Sequence, residues 1–421
     1  MRPDQSRQSN GSPISQPASE RAIPLPVQVK SLCDLYLPRV IELRRHFHMH
    51  PELGHQEFGT AKIVADELRK LGIEVTEKVE ATGVVGILKG AHPGKTLMLR
   101  ADMDGLPIQE NTGLDYESVV PGQMHACAHD GHTANLLGVA MVLSQLREQL
   151  HGTVKFVFQP DEEYDSGAKA MIQLGVLENP KVDAAFGLHL WGSVPEGQVQ
   201  IKGGPFMAAP DKFTFTVIGK GGHAAMPQLC IDPVLLTVQA INAMQTIISR
   251  KKSPFNPAVI SYCSLNAPSE YNTIPDRVTV SGTIRSFDAD LRNWIITEME
   301  ATLKGITESQ GARYEFAIAE DFALPAVVND YELAELVKQA ARKVLDPSLV
   351  VEPKEPSMGA EDFSYFSQQI PSCFFFVGIA PEGKEVVHHS PGFQWEDRNL
   401  ETAMLVLSQA AVDYLGAPSK S

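Results

Sequence analysis

Val154-Lys155-Phe156-Val157-Phe158-Gln159-Pro160-Asp161-Glu162-Glu163 is an aromatic and β-branched run cut off by proline and followed at once by three acids. Such a run reads as a buried strand, and Pro160 ends it because proline cannot donate to the ladder. The acids then fall at a strand's carboxyl end, where ligands gather in α/β sheets. Similar short runs recur at Val84–Leu88, Leu97–Ala101 and Ala184–Leu190, with a long apolar-striped segment from Thr133 to Leu150 between them. Strands alternating with helical stretches predict an α/β sheet of mixed strand direction. Two amphipathic segments, Val27–Arg45 and Thr60–Leu71, predict helices that open this part.

Downstream, the pattern changes between residues 209 and 321. A strand (Lys212–Ile218), a helix (Pro233–Arg250), two strands (Ala258–Leu265, Arg277–Arg285), a helix (Leu291–Ser309) and a strand (Arg313–Ile318) follow in the order βαββαβ of the ferredoxin-like motif. A helix at Glu332–Val344 and a strand at Ser372–Val377 then resume the first pattern, so the small unit reads as an insertion. The expected organisation is a leader (1–26), a first part of the main α/β domain (27–208), a satellite domain (209–321) and a second part (322–421). The leader is rich in Ser, Pro, Gln and Asn and buries too little apolar surface to offset ordering, so it is expected to be disordered.

The chain of 421 residues carries 36 Lys plus Arg against 51 Asp plus Glu, a net charge of −15. That balance argues against nucleic-acid and anionic-membrane partners, which want a basic face. No window approaches the roughly 18 apolar residues of a membrane span, and the N-terminus has no positive patch followed by an apolar core, so a cytoplasmic location is expected. The five cysteines are odd in number and widely spaced, as reduced thiols are.

Chemistry concentrates in a few places. His125-Ala126-Cys127-Ala128-His129-Asp130-Gly131-His132 puts three imidazoles and a thiol in eight positions just before a helix, a donor set for a borderline-soft divalent metal. The competing reading is a set of helix caps. Glu162 and Glu163 can divide labour, one binding metal while the other takes a proton from water. His189 ends one apolar strand, and His388-His389-Ser390-Pro391 lies near the C-terminus. A lone histidine of this kind is more often a core residue than a ligand; it is the convergence of such sites on strand ends and loops of one domain that points to a metal centre. Asp102, in Arg100-Ala101-Asp102-Met103-Asp104-Gly105, can orient a ligand imidazole. In the insertion, the loop Gly219–Ala225 presents His223, and Arg285 can grip a carboxylate bidentately.

With RADMDGLPIQE, MHACAHDGHTA, FQPDEE, GLH, GKGGHAAMPQLCIDP, GTIRSF, MGAEDF and HHSP in this order, the chain resembles the dinuclear-metal amidohydrolases of the aminoacylase, hippurate hydrolase and indoleacetyl-amino-acid hydrolase group. The resemblance implies two divalent metals, zinc, manganese, cobalt or nickel, held by Cys127, His129, Glu163, His189 and His389. It also implies Glu162 as general base, His223 as a donor to the tetrahedral intermediate from a neighbouring subunit, Asp102 behind the ligands, and Arg285 and Asn272 on the substrate. A homodimer through the satellite domain follows from it, as does hydrolysis of N-acyl amino acids. Alternatives are a carboxypeptidase or dipeptidase on short peptides, a thioester mechanism with Cys127 as nucleophile and His129 as base, and a non-catalytic binding protein. Three positions depart from the pattern: Ala128 stands where Gly is usual, Asp161 where Ala is, and Ala360 where Ser is. Asp161 is expected to add a carboxylate beside the base and raise its pKa.

Overall fold

The run at 154–158 lies within a strand, His151–Gln159, that is buried from Val154 onward in the computed structural model, which describes residues 23–164, 167–319 and 323–416. In chain order the first part contributes α1 (Leu25–Met49), α2 (Phe58–Lys70), β1 (Glu74–Val79), β2 (Gly83–Lys89), β3 (His92–Asp102), α3 (His129–Gln145), β4 (His151–Gln159), α4 (Gly167–Gln173), β5 (Ala184–Pro195), β6 (Val199–Gln200) and β7 (Gly204–Met207). The insertion contains β8 (Ala209–Ile218), β9 (Gly222–His223), α5 (Pro233–Thr246), β10 (Ala258–Asn266), β11 (Thr273–Ile274), β12 (Arg277–Ser286), α6 (Ala289–Glu308) and β13 (Arg313–Ile318). The chain returns through β14 (Val327–Asn329), α7 (Tyr331–Val344), β15 (Val350–Val351), α8 (Ser364–Ser367), β16 (Ser372–Ala380) and α9 (Asn399–Tyr414).

The eight-stranded sheet has the order β1-β2-β4-β3-β5-β16-β6-β15. Its centre, β4-β3-β5-β16, is parallel, while β1, β2 and β6 add antiparallel pairings. Alternation sends Leu97, Leu99, Phe156 and Phe158 to a core shared with α1, α2, α3, α7 and α9, and Met98, Val157 and Ala185 to a second core with Phe363, Phe366 and Phe374. A parallel sheet covered on both faces leaves only its strand ends open to a ligand. Lys155, the charge inside the deciding run, is buried but satisfied: its ammonium donates to the carbonyls of Val176, Glu178 and Pro180 at 2.9, 2.7 and 2.8 Å.

The insertion folds its own antiparallel sheet, β10-β12-β8-β13, with α5 and α6 packed on the face of Phe213, Phe215, Val217, Val278 and Val280. The register sets Pro210 opposite Arg285 and Lys212 opposite Thr283 on its other face. Where the chain enters and leaves the insertion, β7 and β14 pair antiparallel. Several boundaries differ from expectation: α3 ends at Gln145 rather than Leu150, α5 at Thr246 rather than Arg250, and β5 runs past Leu190 to Pro195. The helix expected from Thr133 begins at His129, because Ala128 before it takes a left-handed conformation (φ 69°, ψ 17°) that turns the chain directly into the first turn. The first helix starts at Leu25, inside the expected leader, whose residues 1–22 lie outside the described residues. No helix among the described residues is long and apolar enough to cross a membrane.

Candidate metal centre and active site

The carboxyl ends of β3 and β4, the middle of β5 and the first turn of α3 meet at one place; His189, expected to end its strand, lies at the centre of Ala184–Pro195. Cys127, His129 and His189 present ligand atoms that all lie within 4.8 Å of one another; Cys127, Glu163 and His389 do the same, so Cys127 belongs to both groups. The imidazoles of His129 and His189 are each aimed by the atom behind them. His129 donates its Nδ1 proton to Asp104, whose backbone carbonyl and Oδ1 are both 3.0 Å away, leaving Nε2 facing inward. His189 donates from Nδ1 to the Leu190 carbonyl at 2.9 Å, leaving Nε2 3.4 Å from the Cys127 sulfur. Asp104 also accepts the Glu163 backbone N–H at 3.1 Å, tying the acid loop after β4 to the loop after β3.

The donor set fits divalent metal ions. His129 Nε2 and Glu163 Oε1 are buried with no hydrogen-bond partner, although Glu163 Oε1 lies 3.1 Å from His389 Nε2 and 3.9 Å from His129 Nε2. Buried polar atoms are rarely left so. Thiolate, imidazole and carboxylate together suit zinc and its neighbours. Charge agrees with that reading. Burial alone would lower the His129 pKa, but Asp102, Asp104 and Glu163 hold it up at about 10, a sign of unmet negative charge. Burial, with His132 and His388, pushes His189 well below the ordinary histidine range, which keeps it neutral. Burial and the carboxylates of Glu163, Glu162 and Asp102 push the Cys127 thiol up. That disfavours a free thiolate nucleophile, and the imidazole nitrogen hydrogen-bonded to its sulfur is from His189 rather than His129.

Glu162 shares this site. Its Oε1 accepts the Asp362 backbone N–H at 3.2 Å, and burial, then Glu361, Glu163 and Asp362, raise its pKa well above the carboxylate range. The expectation for Asp161 is corrected here. With a left-handed backbone (φ 50°), its carboxylate turns away to pack against Gly54, 3.6 Å from His55 Nδ1, and the base is perturbed by Glu361 instead.

Asp102 takes the place expected behind the ligands, but its partner is a histidine that sequence reasoning left without a role. His132 accepts the Leu190 N–H on Nε2 at 2.9 Å, so its Nδ1 carries the proton donated to Asp102 Oδ1 at 2.7 Å. The pair thereby pins β5 beside His189. Arg100, Gln159, Glu361 and Asp362 were also missed. The available signal was a set of polar side chains at the ends of buried strands and in MGAEDF.

Glu162, Glu163 and His389 line a cavity of about 360 Å³ whose opposite wall is the helix-free face of the satellite sheet, including Lys212, Thr283 and Arg285. Arg285 is half-buried and donates to Thr283 Oγ1 and the Ile284 carbonyl. Its neighbour Asp211 is gripped by Arg292. His223 and Asn272 are not on this wall. They sit exposed on the β9–β11 ribbon, where Ala224 N–H donates to the Asn272 carbonyl at 2.9 Å and Ala225 N–H to His223 Nδ1 at 3.1 Å.

The sequence pattern of peptidase family M20/M25/M40 matches residues 98–413. The chain is 40% identical over 380 residues to thermostable carboxypeptidase 1 of Saccharolobus solfataricus, covering 89% of this chain and 95% of that protein. It is 43% identical over 303 residues to an N-acyl-L-amino acid amidohydrolase of Geobacillus stearothermophilus, covering 72% and 81%. Among solved structures, the Bacillus subtilis YXEP protein, described as a dinuclear metal binding peptidase, superposes with a TM-score of 0.79 at 36% identity over 91% of this chain and 99% of that one.

Proposed function

This chain belongs to peptidase family M20/M25/M40, and from that premise we propose that it hydrolyses the amide bond of N-acyl amino acids with Glu162 as general base. Cys127, His129, His189, Glu163 and His389 would hold the divalent ions. Such ions supply Lewis acidity for the carbonyl and lower the pKa of water. Glu162 takes the proton of the attacking water and returns it to the leaving amine. Burial, then Glu361, raises the proton affinity of this carboxylate, which favours its taking the proton from water, and the leaving amine then receives it. Arg285, facing that carboxylate across the cavity with its nearest acid engaged elsewhere, grips the free carboxylate of the substrate.

The observation that carries the reading is the convergence of Glu162, Glu163, His389 and Arg285 on one cavity of about 360 Å³, a volume on the scale of a small ligand. His223 and Asn272 complete the site from a second copy of the chain. Support for that copy comes from β10, an edge strand of the satellite sheet with Val259 and Leu265 exposed, and from Leu235 and Val238 exposed on α5. The carboxypeptidase relative favours a second reading, in which the acyl group is itself an amino acid; Arg285 would serve a peptide C-terminus equally.

The deciding experiment loads the stripped protein with single divalent metals and offers N-acetyl, N-benzoyl and indoleacetyl amino acids, their amides, and dipeptides. Release of amino acid from the first group, lost by at least about 10³-fold in Glu162→Gln with metal content unchanged, is the expected result. Appreciable turnover in that variant removes Glu162 as the base, and preference for dipeptides selects the peptidase reading.

A further inference from the structure

Arg100 faces neither a ligand atom nor the cavity, yet it touches the residues that surround both. It sits on β3 two residues before Asp102, with its side chain on the α4–α8 face of the sheet and about 1% exposed. Its guanidinium spends its donors on three segments. Nε reaches Gln159 Oε1 at the end of β4 (2.8 Å), Nη1 reaches Asp102 Oδ2 (2.8 Å), and Nη2 reaches Asp362 Oδ1 (2.7 Å) and lies 3.0 Å from Glu361 Oε1.

Asp362 is fixed on every side. Besides Arg100, it accepts from Gln159 Nε2 (2.9 and 2.7 Å) and from the Ala168 backbone N–H at 3.0 Å. The group left over is its own backbone N–H, and that is the donor to Glu162 Oε1. Glu361 is held by Arg100 and by the Phe363 N–H at 3.0 Å. One planar cation therefore sets both contacts that constrain the base: the amide that binds it and the neighbouring acid.

From this geometry, and resting on the reading of Glu162 as the base, we infer that Arg100 is a positioning residue for the reaction, aiming Glu162 through the backbone amide of Asp362. A plain charge-balancing role would need only a cation. This role needs the fork, because a lysine ammonium has three donors at one point and cannot bridge the ends of β3 and β4 and the 361–362 turn together. The two accounts differ in measurable ways, since a misaimed base slows chemistry without weakening ground-state binding.

The test uses the metal-loaded enzyme and the substrate that responds best in the panel above. Arg100→Lys is made alone and in a Glu162→Asp background, with kcat, KM and metal content measured for each. Arg100→Lys should lower kcat by about 30- to 100-fold, with KM within about 3-fold of wild type and full metal content, whereas in the Glu162→Asp background it should cost less than about 3-fold, because the aim it sets is already lost. Losses that multiply across the two backgrounds overturn the inference, as does a fall in metal content parallel to kcat or an unchanged kcat. If Arg100→Lys does not fold, Asp362→Asn takes its place and must show the same pattern; a folded Asp362→Asn with wild-type kcat overturns it too. Wild-type turnover in Glu162→Gln would instead refute the base assignment on which the inference stands.

Discussion

The two sheets of this protein solve different problems with the same building block. In the large sheet, β16 is buried at every position from Ser372 to Ala380, whereas β12 in the satellite alternates between buried and partly exposed residues along its length. Helices on both faces of the parallel sheet bury its centre and leave the carboxyl ends of β3 and β4 as a place where polar groups can converge. Helices on only one face of the antiparallel sheet leave the other free to become a wall, and Arg285 and Thr283 stand on it. One sheet thus makes a site at its end, the other at its face.

Several measurements can break or sharpen that contrast. The largest effect is expected at the end of the parallel sheet. Chelation of divalent ions should abolish amide hydrolysis and lower the melting temperature, because ions bound to the native state alone add stability by mass action. A stripped protein with unchanged activity and Tm would separate that cluster from metal chemistry.

Cores come next. Phe156→Ala in the large sheet and Phe215→Ala under the satellite helices should each cost about 3–5 kcal/mol in chemical denaturation, since both side chains are fully buried. Thr279→Ala, on the open satellite face, should cost about 1 kcal/mol or less. A comparable cost at all three positions would mean that the open face is packed against something in solution.

Arg285→Ala should lower kcat/KM about 10- to 100-fold for N-acyl amino acids and leave their amides nearly unchanged, in the range of a charge-assisted hydrogen bond. Equal losses on acids and amides would assign Arg285 to the wall alone. The smallest effect is at the start of α3. Ala128→Gly should raise stability by about 0.5–1 kcal/mol, because a left-handed backbone strains a Cβ that glycine lacks. A loss instead would show that the Ala128 methyl, wholly buried, contributes more by packing than it costs in strain.

Much of the fold is legible in the chain because its signals are local. The apolar run before Pro160, the periodic helices and the βαββαβ order of the insertion each depend on neighbours in sequence. Asp161 shows where such reading stops. One residue from Glu162, it was expected beside the base, yet a left-handed φ turns it against Gly54, and Glu361 from the far end of the chain stands there instead. His132 has the composition of a ligand and the geometry of a strand clamp, because the Leu190 N–H claims its Nε2.

The sequence by itself determined which segments become strands and helices and which donor types, sulfur, imidazole and carboxylate, those segments and the loops beside them carry, since propensity, periodicity and chemistry are carried by residues close along the chain. Only the tertiary structure decided which nitrogen of each histidine faces inward, that Cys127 serves two groups of ligands, and that Arg100 joins the ends of β3 and β4 to residues 361–362. Those outcomes depend on distances between segments as much as 262 positions apart, fixed by the packing of both sheet faces rather than by any local preference.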